Sequence, residues 1–181
     1  MSYHERHLPH WQPEGKYLFV TWRLYGSLPK NVVVKQTEVT PGQAFCDFDR
    51  ILDQAAFGPL WLKDLRIAAL VVNALQFGDS KPKIYELISY VVMANHVHIL
   101  ILPRTELCNI TRAIKGFTAR EANKLLNRTG QPFWQDESYD RWIRDQDARN
   151  RVIRYIERNP VKAGIVTNIE DFRWSSAWEE R

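Results

Sequence analysis

Cysteine is scarce in this chain: two residues in 181, Cys46 and Cys108, far apart and outside any ligand pattern. That excludes a disulfide framework and a zinc ribbon, and it fits a reducing compartment. The N-terminal stretch MSYHERHLPHWQPEGKY lacks the apolar segment of a signal peptide. No apolar run is long and clean enough to span a membrane, so a soluble cytoplasmic protein without a membrane partner is expected. Charge of one sign is not in strong excess. Lys and Arg number 25 against 21 Asp and Glu, a net charge of +4, and the pI is about 9.1. Such a mild basic balance is compatible with nucleic acid without identifying it. There is no internal repeat, low-complexity tract or linker. The length fits one domain over 1–181, with an irregular arm at about 1–15 and a short Trp-rich tail at about 165–181.

What the chain does contain is an ordered series of apolar patterns. Tyr17 to Tyr25 alternates and is rich in aromatic and β-branched residues, as a strand requires. Residues 30–42 form a polar connection. Gln43 to Phe57 and Leu62 to Phe77 carry helical spacings, the first through Phe45, Phe48, Ile51, Leu52 and Ala55. Strands are expected at about 84–93 and 96–102, meeting at a tight bend near Ala94-Asn95. Thr111 to Arg128 reads as a third helix, with Ile110, Ile114, Phe117 and Leu125 turned inward. Ser138 to Arg144 alternates as a fourth strand. Asp145 can cap a fourth helix ending near Arg158, because Asn159 precedes a proline. This order suggests an α+β sandwich, with helices mainly on one face of an antiparallel sheet.

The strongest chemical signal is Asn95-His96-Val97-His98-Ile99 inside the apolar run from Ile88 to Leu102. Side chains alternate along a strand, so His96 and His98 point to the same face. Two imidazoles at core positions need partners. They can be hydrogen-bonded core histidines, or they can share a metal ion. In the fourth helix Tyr155 and Asn159 are four apart and share a face, with Arg151 and Arg158 on adjoining surface. Nearby cations would draw a phenol toward phenolate, a nucleophile for phosphorus. The amide oxygen of Asn159 could complete a metal site begun by the imidazoles. Such a set of neutral ligands would leave the ion's charge free for an anionic phosphodiester. The third helix carries Arg112, Lys115, Arg120, Lys124 and Arg128, which suit a solvated face or a DNA backbone. Trp134, Trp142, Trp174 and Trp178 suit the core or stacking on unpaired bases. His4, His7 and His10 read as terminal residues, or as a grip on DNA.

Taken in order, LPHW, TWRLYGSLP, VVMANHVHILILP, KGFTAREANKLL, PFWQDESYDRWIRD, YIERNPVKAGIV and WSSA resemble the REP-associated tyrosine transposases. These belong to the single-tyrosine HUH transposases of insertion sequences. One departure is Ala94, where relatives often carry proline. The resemblance implies a ferredoxin-like fold with the His pair on a central strand. It implies His96, His98 and Asn159 as ligands of Mg2+ or Mn2+, and it alone selects Tyr155 among seven tyrosines as the nucleophile. The implied activity is cleavage and strand transfer of single-stranded or hairpin DNA through a 5′-phosphotyrosine link. The implied setting is the nucleoid, as a monomer or homodimer. Two other functions compete. A histidine-triad nucleotide hydrolase would need a third alternating His, which HVHILIL lacks. A non-catalytic hairpin-binding module would need no nucleophile.

Overall fold

A computed structural model describes residues 2–5, 9–12, 15–29 and 41–179. Two short strands, β1 (Ser2–Glu5) and β2 (Pro9–Gln12), pair antiparallel with Tyr3 opposite Trp11. Of the arm, the described residues Ser2–Glu5 and Pro9–Gln12 are therefore paired strand. Its Pro and His residues obscure the strand signal, while the aromatic residues at paired positions suit it. His7 and residues 30–40 lie outside the described residues.

The main sheet contains β3 (Leu18–Arg23), β4 (Tyr85–Val92), β5 (His96–Pro103) and β6 (Tyr139–Trp142). The spatial order is β4-β5-β3-β6, and every pairing is antiparallel. This is the ferredoxin-like arrangement, with β5 and β3 at the centre. Residues of the central strands divide cleanly by parity. Leu18, Val20 and Trp22 of β3 and Val97, Ile99 and Ile101 of β5 face one side. They form the larger core, with α2 (Leu65–Ser80) and α3 (Leu107–Leu125) packed over it. Each fully buried Leu or Ile contributes about 1.5–3 kcal/mol by leaving water.

Phe19 and Leu100 face the other side, in a smaller cluster with Val91, Met93, Ile143 and Ile156. Here α1 (Pro41–Asp53) and α4 (Gln146–Lys162) supply Phe45, Val152, Ile153 and Tyr155. The α+β class holds, and the principal helical layer is α2 with α3. The second face, however, is also covered by helices, and it carries the imidazoles.

Local signals explain most boundaries. Asp64 accepts from the backbone N–H of Arg66 at the start of α2, and Asp145 accepts from that of Ala148 at the start of α4. The β4–β5 bend falls at Ala94-Asn95, closed by Met93 N–H donating to His96 O at 2.9 Å. One boundary departs from expectation. α4 does not stop at Asn159 but runs through Pro160 to Lys162. Proline in the last turn removes one donor without ending the helix, because both Asn159 and Pro160 are buried against the fold. The stop comes at Gly164, whose φ of 70° is the left-handed cap conformation. The tail then lies along the edge of β4. Val92 N–H donates to Trp174 O, and Ser176 N–H to Tyr90 O, both at 2.9 Å. An otherwise open sheet edge is thereby covered.

Candidate active site

His96 and His98 project from β5 onto the second face, and both are fully buried. Their ring centroids are 4.7 Å apart. Each Nδ1 has a dedicated partner. His96 Nδ1 meets Asn95 Oδ1 at 2.7 Å. Asn95 Nδ2 donates to Leu52 O at 3.1 Å, which fixes the amide oxygen toward the ring. His96 must then donate through Nδ1, so its Nε2 carries a lone pair. His98 Nδ1 lies 2.7 Å from Thr21 Oγ1, the residue directly opposite it on β3. Both Nε2 atoms point to one spot between the sheet, α1 and α4.

That spot is acidic, which the sequence reading missed. Asp49 of α1 is 1% exposed, and its Oδ1 lies 3.1 Å from His98 Nε2 and 3.7 Å from His96 Nε2. Asp53, one turn on, places its Oδ1 3.7 Å from His96 Nε2. The expected set of two imidazoles and an amide is therefore not neutral in its surroundings: two carboxylates lie beside it, and Asp49 is within ligand distance of both rings. The available signal was a pair of acids inside the inward stripe of the first helix, at the spacing of Phe45, Asp49, Leu52 and Asp53. An acid at a core position requires a partner.

The structure brings Tyr155 and Asn159 together with the imidazoles. Tyr155 Oη donates to Asp49 Oδ2. Asn159 is fully buried, and its amide nitrogen is 3.4 Å from both His98 Nε2 and Asp49 Oδ2. The cation at the tyrosine is not the expected one. Arg151 and Arg158 are exposed. Lys162, in the extra helical turn, has its Nζ 5.5 Å from the centre of the Tyr155 ring and 2.7 Å from Asp53 Oδ2.

The electrostatics follow from burial and these neighbours. Burial, and then the adjacent His98, push the His96 pKa down to about 3, so this imidazole is neutral near neutral pH. Burial would raise the Asp49 carboxyl, but His98, His96 and the Tyr155 hydroxyl together hold it below its ordinary value. Burial and the charge of Asp49 raise Asp53 despite Lys162. Tyr155 is raised by burial and then by Asp49. The expected drift toward phenolate is therefore absent from this arrangement, because the nearest charge to the hydroxyl is negative.

Three buried polar atoms here have no hydrogen-bond partner, Asp53 Oδ1, His96 Nε2 and Asn159 Oδ1, and Asp49 Oδ1 has the His98 imidazole beside it at 3.1 Å. Orphaned atoms of this kind are expensive unless something joins them. Ligand atoms of Asp49, His96 and His98 all lie within 4.8 Å of one another. Imidazole and carboxylate donors of this mixture fit a divalent cation, and the carboxylates favour a hard one. The tyrosine hydroxyl lies at the rim of the same cluster.

The other candidates are dispersed. α3 packs on the opposite face of the sheet from the imidazoles. Lys115 Nζ donates to Gln135 O at 2.8 Å and to Asp136 O at 2.7 Å, tying down the loop before β6. Arg120 and Lys124 pair with Glu121 at 3.2 Å and 3.0 Å. The Arg128 guanidinium lies 3.8 Å from the centre of the Trp61 ring, and Arg112 is exposed. Trp134 is a core residue whose Nε1 donates to Thr118 Oγ1 at 2.9 Å. Trp142 and Trp174 pack against the core, and Trp178 is exposed.

Residues 78–159 match the family model described as "Transposase IS200 like". That stretch, a little under half of the chain, is similar to the IS200-like transposases. It runs from the end of α2 through β4, β5, α3 and β6 to Asn159, and so contains His96, His98, Tyr155 and Asn159. This match agrees with the resemblance seen in the sequence. A solved structure of a REP-associated tyrosine transposase bound to a REP hairpin shares the fold, with a TM-score of 0.59 at 18% identity. The similarity covers 97% of this chain and 82% of that one. A second structure is of a protein from Deinococcus radiodurans R1 with a provisional transposase assignment. It gives a TM-score of 0.44 at 16% identity, covering 83% of this chain and 98% of that one. A search of curated proteins returns no match. Among the described residues no helix is long and apolar enough to cross a membrane.

Proposed function

We propose that this transposase-like chain cuts and rejoins single-stranded DNA beside a hairpin, using Tyr155 as nucleophile and a divalent cation held by His96, His98, Asp49 and Asn159. The observation that carries the reading is the convergence of the tyrosine hydroxyl on the buried ligand cluster of Asp49, His96 and His98. Mg2+ or Mn2+ fits the donor set. When bound, the cation supplies polarisation of the scissile phosphate.

The two oxygens of Asp49 divide the work. Oδ1 faces the imidazoles, where a cation would sit, and Oδ2 accepts the Tyr155 proton. Tyr155 Oη attacks phosphorus as its proton passes to Oδ2. The bond from phosphorus to the 3′ oxygen breaks, and that oxygen leaves as a 3′ hydroxyl by taking the proton Asp49 Oδ2 received, directly or through solvent. The 5′ phosphate remains joined to Tyr155, so the phosphodiester bond is exchanged without consuming water. A 3′ hydroxyl attacking this link reverses the step or joins a new strand. Asn95 and Thr21 hold both rings with Nε2 forward throughout. Hairpin DNA is the proposed substrate because a structural neighbour is described bound to a REP hairpin. The basic residues Arg112, Arg120, Lys124, Arg128, Arg151 and Arg158 are proposed contacts for its backbone, while Lys115 acts mainly within the fold.

The test uses labelled hairpins with single-stranded flanks, Mn2+ and a denaturing gel. Wild type should give a protein–DNA adduct that survives denaturation. Tyr155→Phe should bind the hairpin equally and give none. An adduct that persists in Tyr155→Phe refutes the assignment. Tight binding without any wild-type adduct supports a non-catalytic hairpin binder instead.

A further inference from the structure

Lys162 has no part in the chemistry above, yet it is built into the site. Its Nζ donates to Asp53 Oδ2 at 2.7 Å and lies 3.7 Å from Asp49 Oδ2. Both carboxylate side chains are almost wholly buried, at 0% and 6% exposure, whereas the lysine side chain is 45% exposed. It therefore spans from the buried acids to the surface, beside the ring of Tyr155. Asp53 is divided as Asp49 is: Oδ1 is unpartnered and faces His96, and Oδ2 faces the ammonium.

The charge count indicates what this lysine is for. The two carboxylates of Asp49 and Asp53 face a single ammonium, that of Lys162. The cluster is net negative, so it draws a divalent cation. With the cation in place the sum is one positive charge, which a single phosphodiester neutralises. The ammonium and the cation also compete for the same carboxylates and repel one another at close range. A lysine on a flexible four-carbon stem can answer by turning outward.

We propose that Lys162 is a phosphate-binding catalytic residue: it is the counter-ion of Asp49 and Asp53 in the metal-free protein, and it turns to a non-bridging oxygen of the scissile phosphate once the cation is bound. This rests on the tyrosine-transfer reading above for its second half. The first half stands on the acids and the lysine alone. As Tyr155 attacks, charge builds on the phosphate oxygens, and a fixed ammonium there stabilises the transition state more than the ground state.

The experiment compares wild type, Lys162→Met and Lys162→Arg, each checked for folding by circular dichroism. Calorimetric titration with Mn2+ in the absence of DNA reads the counter-ion role. Lys162→Met should bind Mn2+ about fivefold to tenfold more tightly, because a competing positive charge is gone. The rate of adduct formation should fall about a hundredfold, the usual loss for one such donor, and Lys162→Arg should recover most of it. On a Tyr155→Phe background, Lys162→Met should lower the salt dependence of hairpin binding by about one phosphate contact. Weaker Mn2+ binding together with slower adduct formation would make Lys162 a mere structural support and overturn the proposal. An unchanged adduct rate would overturn it equally. Should the Met variant not fold, Lys162→Gln carries the same test. If wild type forms no adduct on any hairpin, the tyrosine reading has failed, yet the Mn2+ titration still decides the counter-ion role.

Discussion

Replacing Thr21 by Val removes one hydroxyl from a buried site with almost no change of shape. Thr21 is 6% exposed, and its Oγ1 is the 2.7 Å partner of His98 Nδ1. The consequence differs between metal-free and metal-loaded protein. Without metal, His98 can move its proton to Nε2 and donate to Asp49 Oδ1, only 3.1 Å away. Nδ1 then becomes a bare acceptor, and the stability lost is about 1 kcal/mol, the net worth of one hydrogen bond. With metal, Nε2 must offer its lone pair, so the proton is forced onto Nδ1, where the valine gives it no acceptor. The full desolvation penalty of a buried N–H, about 1–3 kcal/mol, then falls on the loaded state. Loss of such a supporting partner commonly weakens metal binding by about 10–100-fold. The assay is Mn2+ titration of both proteins, with urea unfolding of the metal-free forms. Thr21→Val should bind Mn2+ at least about tenfold more weakly while its metal-free unfolding midpoint moves little. Equal Mn2+ affinity would refute the claim that His98 ligates through Nε2 with Nδ1 held by Thr21.

Gly78→Ala should be destabilising, because a Cβ there would strike the Tyr85 ring, whose hydroxyl donates to Leu75 O at 2.6 Å. Overpacking of this kind costs about 1–3 kcal/mol, and an unchanged Tm would contradict it. Lys115→Met should lower stability by about 1 kcal/mol, the net worth of its bonds to the water-accessible carbonyls of Gln135 and Asp136. Its effect on hairpin affinity should not vary with salt, and a strong salt dependence would show a phosphate contact instead. Trp134→Phe leaves Thr118 Oγ1 without the indole donor and should cost about 1 kcal/mol in urea unfolding. A variant as stable as wild type would show that bond to be idle.

The features legible in the sequence are those that a local pattern records. Alternation placed His96 and His98 on one face of a buried strand. Four-residue spacing placed Tyr155 and Asn159 on one face of a helix, and the bend at Ala94-Asn95 followed from two apolar runs too long for one strand. Asp49 and Asp53 were hidden because nothing near them in the chain announces that α1 crosses over β5. Their chemistry appears only once Leu52 O meets the Asn95 amide and docks that helix. Lys162 was hidden by Pro160, whose usual meaning as a helix terminator fails where the last turn is buried. The helices over the second face were not foreseen because α1 and α4 read locally like any other amphipathic segments. Only the tertiary arrangement distributes four such helices between two faces.

The last turn of α4 fixes how the centre can fail. Tyr155, Asn159 and Lys162 are spokes of one rod, whereas the imidazoles stand on the sheet and the acids on α1. A tilt of that rod cannot loosen the Tyr155 hydroxyl by itself, since it withdraws an amide and an ammonium in the same stroke. The site is thus assembled from three parts: the sheet, α1 and α4. Strain applied along α4, even at the Asp145 cap, would therefore bear on all three of its side chains at once.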